Sequence, residues 1–437
     1  MSNFLFATLP LAGHTMPALP IAAELIHRGH SVRWYTGGAF ADRIAAIGAT
    51  HHPMSDYDFS VTDLDTFYPE RLRHSGIRRL KFDLVAGFAQ PITTHLADLS
   101  TLANEQPADV LVGDTGLLAG PILSELGGTP FAVIAISVLN LPGPDQAPIG
   151  LGLPPTSTAL GRLRNRVLTK AIRSLLFQPM YDEINQIRRE HGLADLAAEP
   201  GYLPRADLAL QLSTPGSKYP HDGLPSTLHY VGPPRPLPTE WERPAWWSEL
   251  TSTTRPVVLV TQGTLATDYR ELLRPTLDGL TEEDVLVVAV TGGPDPADLG
   301  PMPANVRVAR FLPFEEILPL VDVYVTNGGF GGVQLALSHG VPIVAAGKTE
   351  DKADVAARVA YSGVGLDLKT QKPTPRRLRA AIASIISDDR YRLAARKVQA
   401  EIEGAGREER AADLLAQLAS SRTSGQGTLR AHPAPAA

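Results

Sequence analysis

Short apolar runs alternate with longer amphipathic stretches along most of the chain. We predict that the apolar runs are strands, and they comprise residues 3–8, 30–36, 109–114, 131–137, 256–261, 285–291, 306–311, 321–326 and 341–345. The stretches between them, such as residues 18–27 and 351–361, place apolar side chains at helical spacing. Near-continuous apolar strands that alternate with helices are typical of a parallel sheet covered on both faces, so the predicted fold class is α/β.

The alternation of predicted strands and helices is interrupted by a proline-rich stretch and resumes after it. Residues 232–238 read GPPRPLP, a sequence that can form neither a helix nor a central strand. We therefore predict one domain over residues 1–231, a linker over 232–241 and a second domain over 242–404. Residues 420–437 lack apolar periodicity, and we expect this tail to be disordered.

Composition narrows the possible classes of protein. The 437 residues include 46 acidic and 40 basic side chains, mixed along the chain for a net charge of −6, which argues against a nucleic-acid partner. The absence of cysteine excludes disulfides, thiol nucleophiles and cysteine metal sites, and it fits a cytoplasmic protein. No apolar run reaches the roughly 18 residues of a membrane span, so we expect no stable membrane insertion.

Two polar side chains lie where predicted strands end. His14 follows the first strand in the loop LPLAGHTMP, and Asp114 ends the strand DVLVGD. Ligands of parallel α/β sheets bind at the carboxyl ends of strands, where a histidine can act as a general base and a carboxylate can fix its tautomer. The alternative is structural: His14 would bond to backbone, and Asp114 would cap the helix predicted to begin near residue 117.

A glycine cluster follows a strand of the second half. Residues 325–339 read VTNGGFGGVQLALSH, and the turn before the predicted helix contains Gly328, Gly329, Gly331 and Gly332. Glycines allow a ligand to approach the backbone, and a helix N-terminus attracts phosphate. The spacing matches neither the P-loop nor the dinucleotide motif, and a purely structural turn is the alternative. A second turn of this kind, TQGT at 261–264, follows the first strand of this half.

The two motif regions resemble a known family. The segments AGHTMPALPIAAELIHRGHSV and FLPFEEILPLVDVYVTNGGFGGVQLALSHGVPIVAAGKTEDKADVAARV are similar to those of GT-B glycosyltransferases that glycosylate small natural products, including bacterial macrolide and other antibiotics. The resemblance implies two facing Rossmann-like domains around a central cleft. It also implies a final helix, over about 405–419, that crosses back to the N-terminal domain.

The resemblance also implies the residues of the site. His14 would be the general base and Asp114 its support, and Phe311 would stack on the nucleotide base. The residues implied to bind the donor are Gly263, Thr264, Phe311, Asn327, Gly328, Gly329, Gly331, Gly332, Val333, Gln334, Asp351 and Lys352. The sequence departs from the family pattern at Asn327, where a histidine is usual, at Leu335 in place of a ribose-binding glutamate, at Lys352 in place of glutamine and at Val355 in place of asparagine.

The implied reaction is an inverting transfer of a hexose from a UDP- or dTDP-sugar to a hydroxyl or amine of a small apolar acceptor, with neither metal nor cofactor. A non-catalytic nucleotide-binding partner protein and a nucleotide-sugar epimerase of the same fold are the alternatives. The side chains that could line an acceptor pocket are Phe59, Phe67, Phe88 and Leu139, unless they are simply packed. Basic residues between 162 and 173 indicate a solvated helix face or, less favoured, a lipid-facing patch.

Overall fold

A computed structural model describes most of the chain. The described residues are 1–62, 64–139, 141, 143–196, 205–221, 223–263, 268–293 and 295–423. Thr264, predicted to bind the donor, lies outside them, as do residues 424–437 of the predicted tail.

The described residues form two parallel sheets. The strands are β1 (Asn3–Ala7), β2 (Ser31–Thr36), β3 (Thr50–Pro53), β4 (Val110–Asp114), β5 (Phe131–Ala135), β6 (Leu208–Gln211), β7 (Leu228–Tyr230), β8 (Val257–Thr261), β9 (Leu286–Val290), β10 (Val306–Ala309), β11 (Val323–Thr326), β12 (Ile343–Ala345) and β13 (Gly365–Asp367). The first sheet has the order β3-β2-β1-β4-β5-β6-β7, and the second has the order β10-β9-β8-β11-β12-β13.

Helices cover both sheets. They are α1 (Ala12–Thr15), α2 (Leu19–His27), α3 (Ala41–Ala46), α4 (Leu64–Phe67), α5 (Gly76–Leu84), α6 (Ile92–Glu105), α7 (Ala119–Gly127), α8 (Ala159–Ile172), α9 (Gln178–Glu190), α10 (Trp247–Ser252), α11 (Leu273–Leu280), α12 (Phe314–Ile317), α13 (Phe330–Ser338), α14 (Lys352–Tyr361), α15 (Pro375–Ser387), α16 (Asp389–Glu403) and α17 (Arg407–Thr423). A π-helical turn, Arg173–Phe177, continues α8 towards α9.

The central strands are apolar because both faces of each sheet are covered. All five residues of β4 and all five of β8 are buried. In each sheet the strand order reverses direction beside the first strand, between β1 and β4 and between β8 and β11. Such a reversal opens a crevice at the carboxyl ends of the strands, where ligands of doubly wound sheets bind. The α/β architecture predicted from the sequence, with two Rossmann-like sheets, is therefore confirmed.

Four short strands are absent from the sequence-based prediction. They are β3, β6, β7 and β13, each of three or four residues. Strand β3 reads THHP, with no residue fully buried, and its polar sequence carries no apolar run. Three of them, β3, β7 and β13, are edge strands, so their pairing depends on a neighbouring strand more than on their own sequence.

The last helix crosses back to the first domain. Helix α17 packs against α2 and against strands β4 and β6 of the first sheet. Arg28, at the end of α2, forms an ion pair with Asp413 and donates to the carbonyl of Glu409. The crossing helix implied by the family resemblance is therefore present. It continues to Thr423, so residues 420–423, which the sequence analysis assigned to a disordered tail, are helical.

We predict that the buried face of α17 contributes strongly to stability. Leu415 is fully buried on this helix, so Leu415→Ala should lower the free energy of unfolding by about 2–5 kcal/mol through lost burial and a cavity. Urea unfolding would measure the change, with Ser420→Ala on the exposed face of α17 as the control. A change no larger than that of the control would contradict the packing role of the helix.

Candidate active site

His14 and Asp114 meet at the reversal point of the first sheet. Nδ1 of His14 lies 2.8 Å from Oδ1 of Asp114. The Asp114 side chain is fully buried, whereas that of His14 is 20% exposed. Because Nδ1 is bonded to the carboxylate, Nε2 is the ring nitrogen with no hydrogen bond to any other described residue. This geometry gives the histidine one anchored nitrogen and one that can react.

Neighbouring strands produce this pairing. Strand β1 lies beside β4, so the loop that begins after Ala7 reaches the end of β4 at Asp114. The carboxylate also accepts hydrogen bonds from the backbone N–H groups of Leu9, at 2.7 Å, and Gly116. A Cβ at Gly116 would lie 2.5 Å from Leu9 Cδ1 and 2.8 Å from His14 Cε1, so only glycine fits there. The site is thus tightly packed around the carboxylate.

The predicted glycine turns lie at the matching reversal of the second sheet. Gly263 follows β8, and Gly328 and Gly329 follow β11, the strand paired with β8. The side-chain amide of Asn327 donates to the carbonyl of Gln262, which joins the two turns. Asn327 therefore holds the loops together, an interaction that the sequence alone did not indicate.

At the start of α13, the backbone is open to a ligand on the outer side only. Gly331 is exposed, and nothing lies within 4 Å of where its Cβ would be, so a ligand can approach there. Gly332 faces inward, where a Cβ would come within 2.7 Å of Tyr324 Oη. The N–H of Val333 already donates to Gly329, and its side chain belongs to the core. Gln334 is 4% exposed and its Oε1 is buried with no hydrogen-bond partner among the described residues.

The predicted stacking residue and one position that departs from the family pattern differ in exposure. Phe311, just after β10, is 61% exposed, which leaves its ring open for stacking. Leu335, where the family has a ribose-binding glutamate, packs against the core. Position 335 therefore supplies no carboxylate for a ribose hydroxyl.

An acid predicted to bind the donor bridges the two domains. Asp351, which precedes α14, accepts a hydrogen bond from the hydroxyl of Ser137, which follows β5. The carboxyl edges of the two sheets therefore face each other across this bond. Burial raises the pKa of Asp351, while the Ser137 hydrogen bond opposes that shift. Lys352, also predicted to bind the donor, has its ammonium 2.8 Å from Glu350 Oε2.

Helix α14 provides further contacts that sequence analysis missed. Asp354 is buried and accepts hydrogen bonds from the N–H groups of Gly150 and Gly152 in the first domain. Arg358, one turn further on, donates to the carbonyl of Leu139 at 3.1 Å and lies 4.2 Å from the ring centroid of Tyr219. Burial raises the pKa of Asp354 and lowers that of Arg358. The i, i+3, i+7 spacing of residues 351, 354 and 358 is the sequence signal for one shared face.

The aromatic residues predicted to line an acceptor pocket mostly contact one another. Phe59 is buried, and its ring lies 5.1 Å from that of Phe67 in an edge-on arrangement. Phe88 is half-buried and packs against the core of the first domain. Leu139 is half-buried and lines a cavity between the domains, next to Arg358. The structure thus brings Leu139, but not the three phenylalanines, to the domain interface.

Known proteins share both sequence and fold with this chain. Residues 274–416 match the family model described as erythromycin biosynthesis protein CIII-like, C-terminal domain. The 4'-demethylrebeccamycin synthase of Lentzea aerocolonigenes is 42% identical, over 95% of this chain and 99% of that protein. UDP-glycosyltransferase 2 of Phaeomoniella chlamydospora is 30% identical, over 95% and 96% of the two chains. The solved structure of glycosyltransferase VinC in complex with dTDP has a TM-score of 0.67 at 23% identity, with 96% and 99% covered.

We predict that Asp354 holds the loop that contains Gly150 and Gly152. Asp354→Ala removes the acceptor of both N–H groups, so amide hydrogen exchange in residues 146–153 should accelerate at least about tenfold. Mass spectrometry of the exchanged peptides would measure the rate. Glu282→Ala, which changes an exposed acid of the second domain, is the control and should leave this loop unchanged. Equal exchange in wild type and Asp354→Ala would contradict the contact.

Proposed function

The chain belongs to the GT-B-fold glycosyltransferases of natural products, and on that premise we propose that it transfers a hexose from a UDP- or dTDP-sugar to a small apolar acceptor, with inversion at the anomeric carbon. The observation that carries this proposal is the His14–Asp114 pair at one reversal point, set against the glycine turns at the other. The proposed acceptor group is a hydroxyl or an amine of a compound such as an antibiotic aglycone.

His14 is the proposed general base. Its Nδ1 is bonded to Asp114, so the proton of the neutral ring resides there and Nε2 can accept the acceptor's proton. The buried carboxylate then stabilises the imidazolium that forms. The acceptor oxygen or nitrogen bonds to the anomeric carbon as the bond from that carbon to the diphosphate oxygen breaks. Attack from the face opposite the diphosphate inverts the configuration.

The second domain is proposed to hold the leaving group. The exposed backbone at Gly331, at the start of α13, can donate to diphosphate oxygens, and the helix dipole favours their negative charge. Gly263 would approach the diphosphate from the adjacent turn, and the open ring of Phe311 would stack on the base. We propose that Asp351, held by Ser137, contacts the sugar hydroxyls. Val333 and Gln334 of the same helix remain part of the proposed donor site, and their buried side chains also support it by packing.

The proposed reaction needs no metal ion. We also propose that it takes place in the cytoplasm, because a chain without cysteine fits a reducing compartment. Relatives differ in their nucleotide: one is named a UDP-glycosyltransferase, and VinC was solved with dTDP. An aromatic stacking residue accepts either pyrimidine base, so the proposed site suits both nucleotides. Because the chain belongs to the glycosyltransferase family, transfer accounts for the site better than the two alternatives, an epimerase and a non-catalytic partner protein.

The first test is His14→Ala. Loss of one positioned general base should lower turnover by about 10²–10⁴-fold while nucleotide affinity stays the same. Turnover would be measured with EDTA present, and affinity by titration calorimetry with the nucleoside diphosphate. His27→Ala, which changes an exposed histidine, is the matched control. Equal loss of turnover and affinity in His14→Ala would contradict the role of base.

The second test identifies the nucleotide and the stacking residue. Saturation at about 100 times Kd should stabilise the protein by about 2.7 kcal/mol, or about 2–4 °C in Tm, with UDP or dTDP but not with ADP or NAD. Phe311→Ala should raise Kd for the bound nucleotide about 5–150-fold, because stacking on a base is worth about 1–3 kcal/mol. Leu393→Ala, an equally exposed apolar residue in the same domain, is the control. Absence of any shift with both pyrimidine nucleotides would overturn the donor site.

A further inference from the structure

Helix α8 is almost unpacked. Of its 14 residues only Asn165 is buried, and Leu168 and Ile172 on the same face are partly covered. The outward face instead carries Leu160, Leu163 and Val167, which are 78%, 51% and 59% exposed. Their i, i+3, i+7 spacing forms one apolar stripe that points away from the protein. We call these three residues the α8 stripe.

The surface beside the α8 stripe has the same character. Leu175, in the π-helical turn that continues α8, is 63% exposed. That turn packs next to α5, which presents Ile77 and Leu80 at 68% and 44% exposure. Large exposed apolar side chains on adjacent elements are unusual for a surface in contact with water alone, and they mark interaction sites.

The charge around this surface is mainly positive, although the chain as a whole is acidic. The neighbouring acids Asp65, Asp83 and Asp145 are taken up in ion pairs with Arg71, Arg79 and Arg162. Residues 146–181 and 71–82 contain no aspartate or glutamate. Several basic side chains of these two segments have no acidic partner within 4 Å among the described residues, namely Arg73, Arg78, Lys81, Arg164, Arg166, Lys170 and Arg173. Arg166 and Lys170 border the α8 stripe on one side and Arg164 on the other.

We infer that this surface binds an anionic lipid bilayer, with α8 lying in the plane of the interface. An apolar stripe bordered by lysine and arginine is the arrangement that buries leucine and valine among acyl chains while the cations stay at the headgroups. Anionic headgroups supply the countercharge that the described residues do not. The attachment is peripheral, since no helix among the described residues is both long and apolar enough to cross a membrane.

This inference differs from the preferred sequence-based interpretation, a solvated basic face. A solvated face would carry polar residues at positions 160, 163 and 167, whereas the structure turns two leucines and a valine outward there. The inference does not depend on the proposed transferase reaction, because it uses none of the residues of the site.

The test is sedimentation of the purified full chain with vesicles. The protein should bind vesicles of equimolar phosphatidylglycerol and phosphatidylcholine and should not bind pure phosphatidylcholine. Binding should weaken as sodium chloride rises from about 0.05 to 0.5 M, because salt screens the attraction. Absence of binding to the anionic vesicles, or equal binding to the neutral ones, would overturn the inference.

Matched variants locate the surface. Arg166→Glu with Lys170→Glu should lower the partition coefficient at least about 30-fold, since each basic residue near an anionic surface contributes about a factor of five. Leu163→Ser with Val167→Ser should lower it at least about tenfold. The controls are Arg376→Glu with Lys397→Glu and Leu393→Ser, which change exposed residues of the second domain. Binding that is unaffected by the α8 variants, or equally reduced by the controls, would overturn the assignment.

Two further readouts distinguish lipid binding from misfolding of the variants and from self-association. Because the changed residues are exposed, all variants should keep the wild-type Tm, and their turnover with a water-soluble acceptor should be unchanged. Size-exclusion chromatography tests for a second copy of the chain as the occupant. A dimer that Leu163→Ser with Val167→Ser converts to a monomer, together with absence of vesicle binding, would overturn the lipid inference in favour of self-association.

Discussion

The buried carboxylate of Asp114 is the constraint on which the first domain's half of the site depends. A carboxylate removed from water needs hydrogen-bond donors, and Asp114 finds three of them, in Leu9, Gly116 and His14. Two of these donors are backbone groups of the loops after β1 and β4, so the carboxylate fixes both loops as well as the imidazole. The hydrogen bonds that offset the cost of burying the Asp114 carboxylate therefore also orient the His14 ring.

Helix α14 has the corresponding role between the domains. Its Asp354 and Arg358 are ionisable side chains largely removed from solvent between the domains, an arrangement that is favourable only when each has good partners. Those partners are backbone groups of the 139–152 loop and the ring of Tyr219, all in the first domain. Asp351 stands at the start of the same helix, so one helix carries both the acid assigned to the donor sugar and the contacts that hold the loop of the first domain.

The sequence was informative where a residue's position on a strand determines which residues it contacts. The long buried strands follow from apolar runs, and His14 and Asp114 meet because each follows or ends a strand and the two strands are neighbours. The interdomain contacts could not be predicted in this way. Asp354 lies 204 positions from Gly150, and Arg358 lies 219 from Leu139, so their pairing depends on how two complete domains approach. The strands β3, β7 and β13 were missed for a related reason, since an edge strand is defined by its neighbour.

One stretch of chain, residues 139–177, links the interdomain contacts to the exposed helix. Its first part is held by Asp354 and Arg358 of α14, and its last part, α8, has a mostly exposed surface, while the turn after α8 packs beside α5 and α9. A single acidic residue, Asp145, lies in this stretch, and it pairs with Arg162 at the start of α8. Because the acid-free sequence begins directly after Asp145, the positive charge is confined to the outward-facing part of the segment. The interface needs a buried acid from the other domain to satisfy this loop's amides, whereas Arg164, Arg166 and Lys170 of α8 have no acidic partner within 4 Å among the described residues. Within one continuous segment, the loop thus packs inward on Asp354 and Arg358 of α14, while α8 presents apolar and basic side chains at the surface.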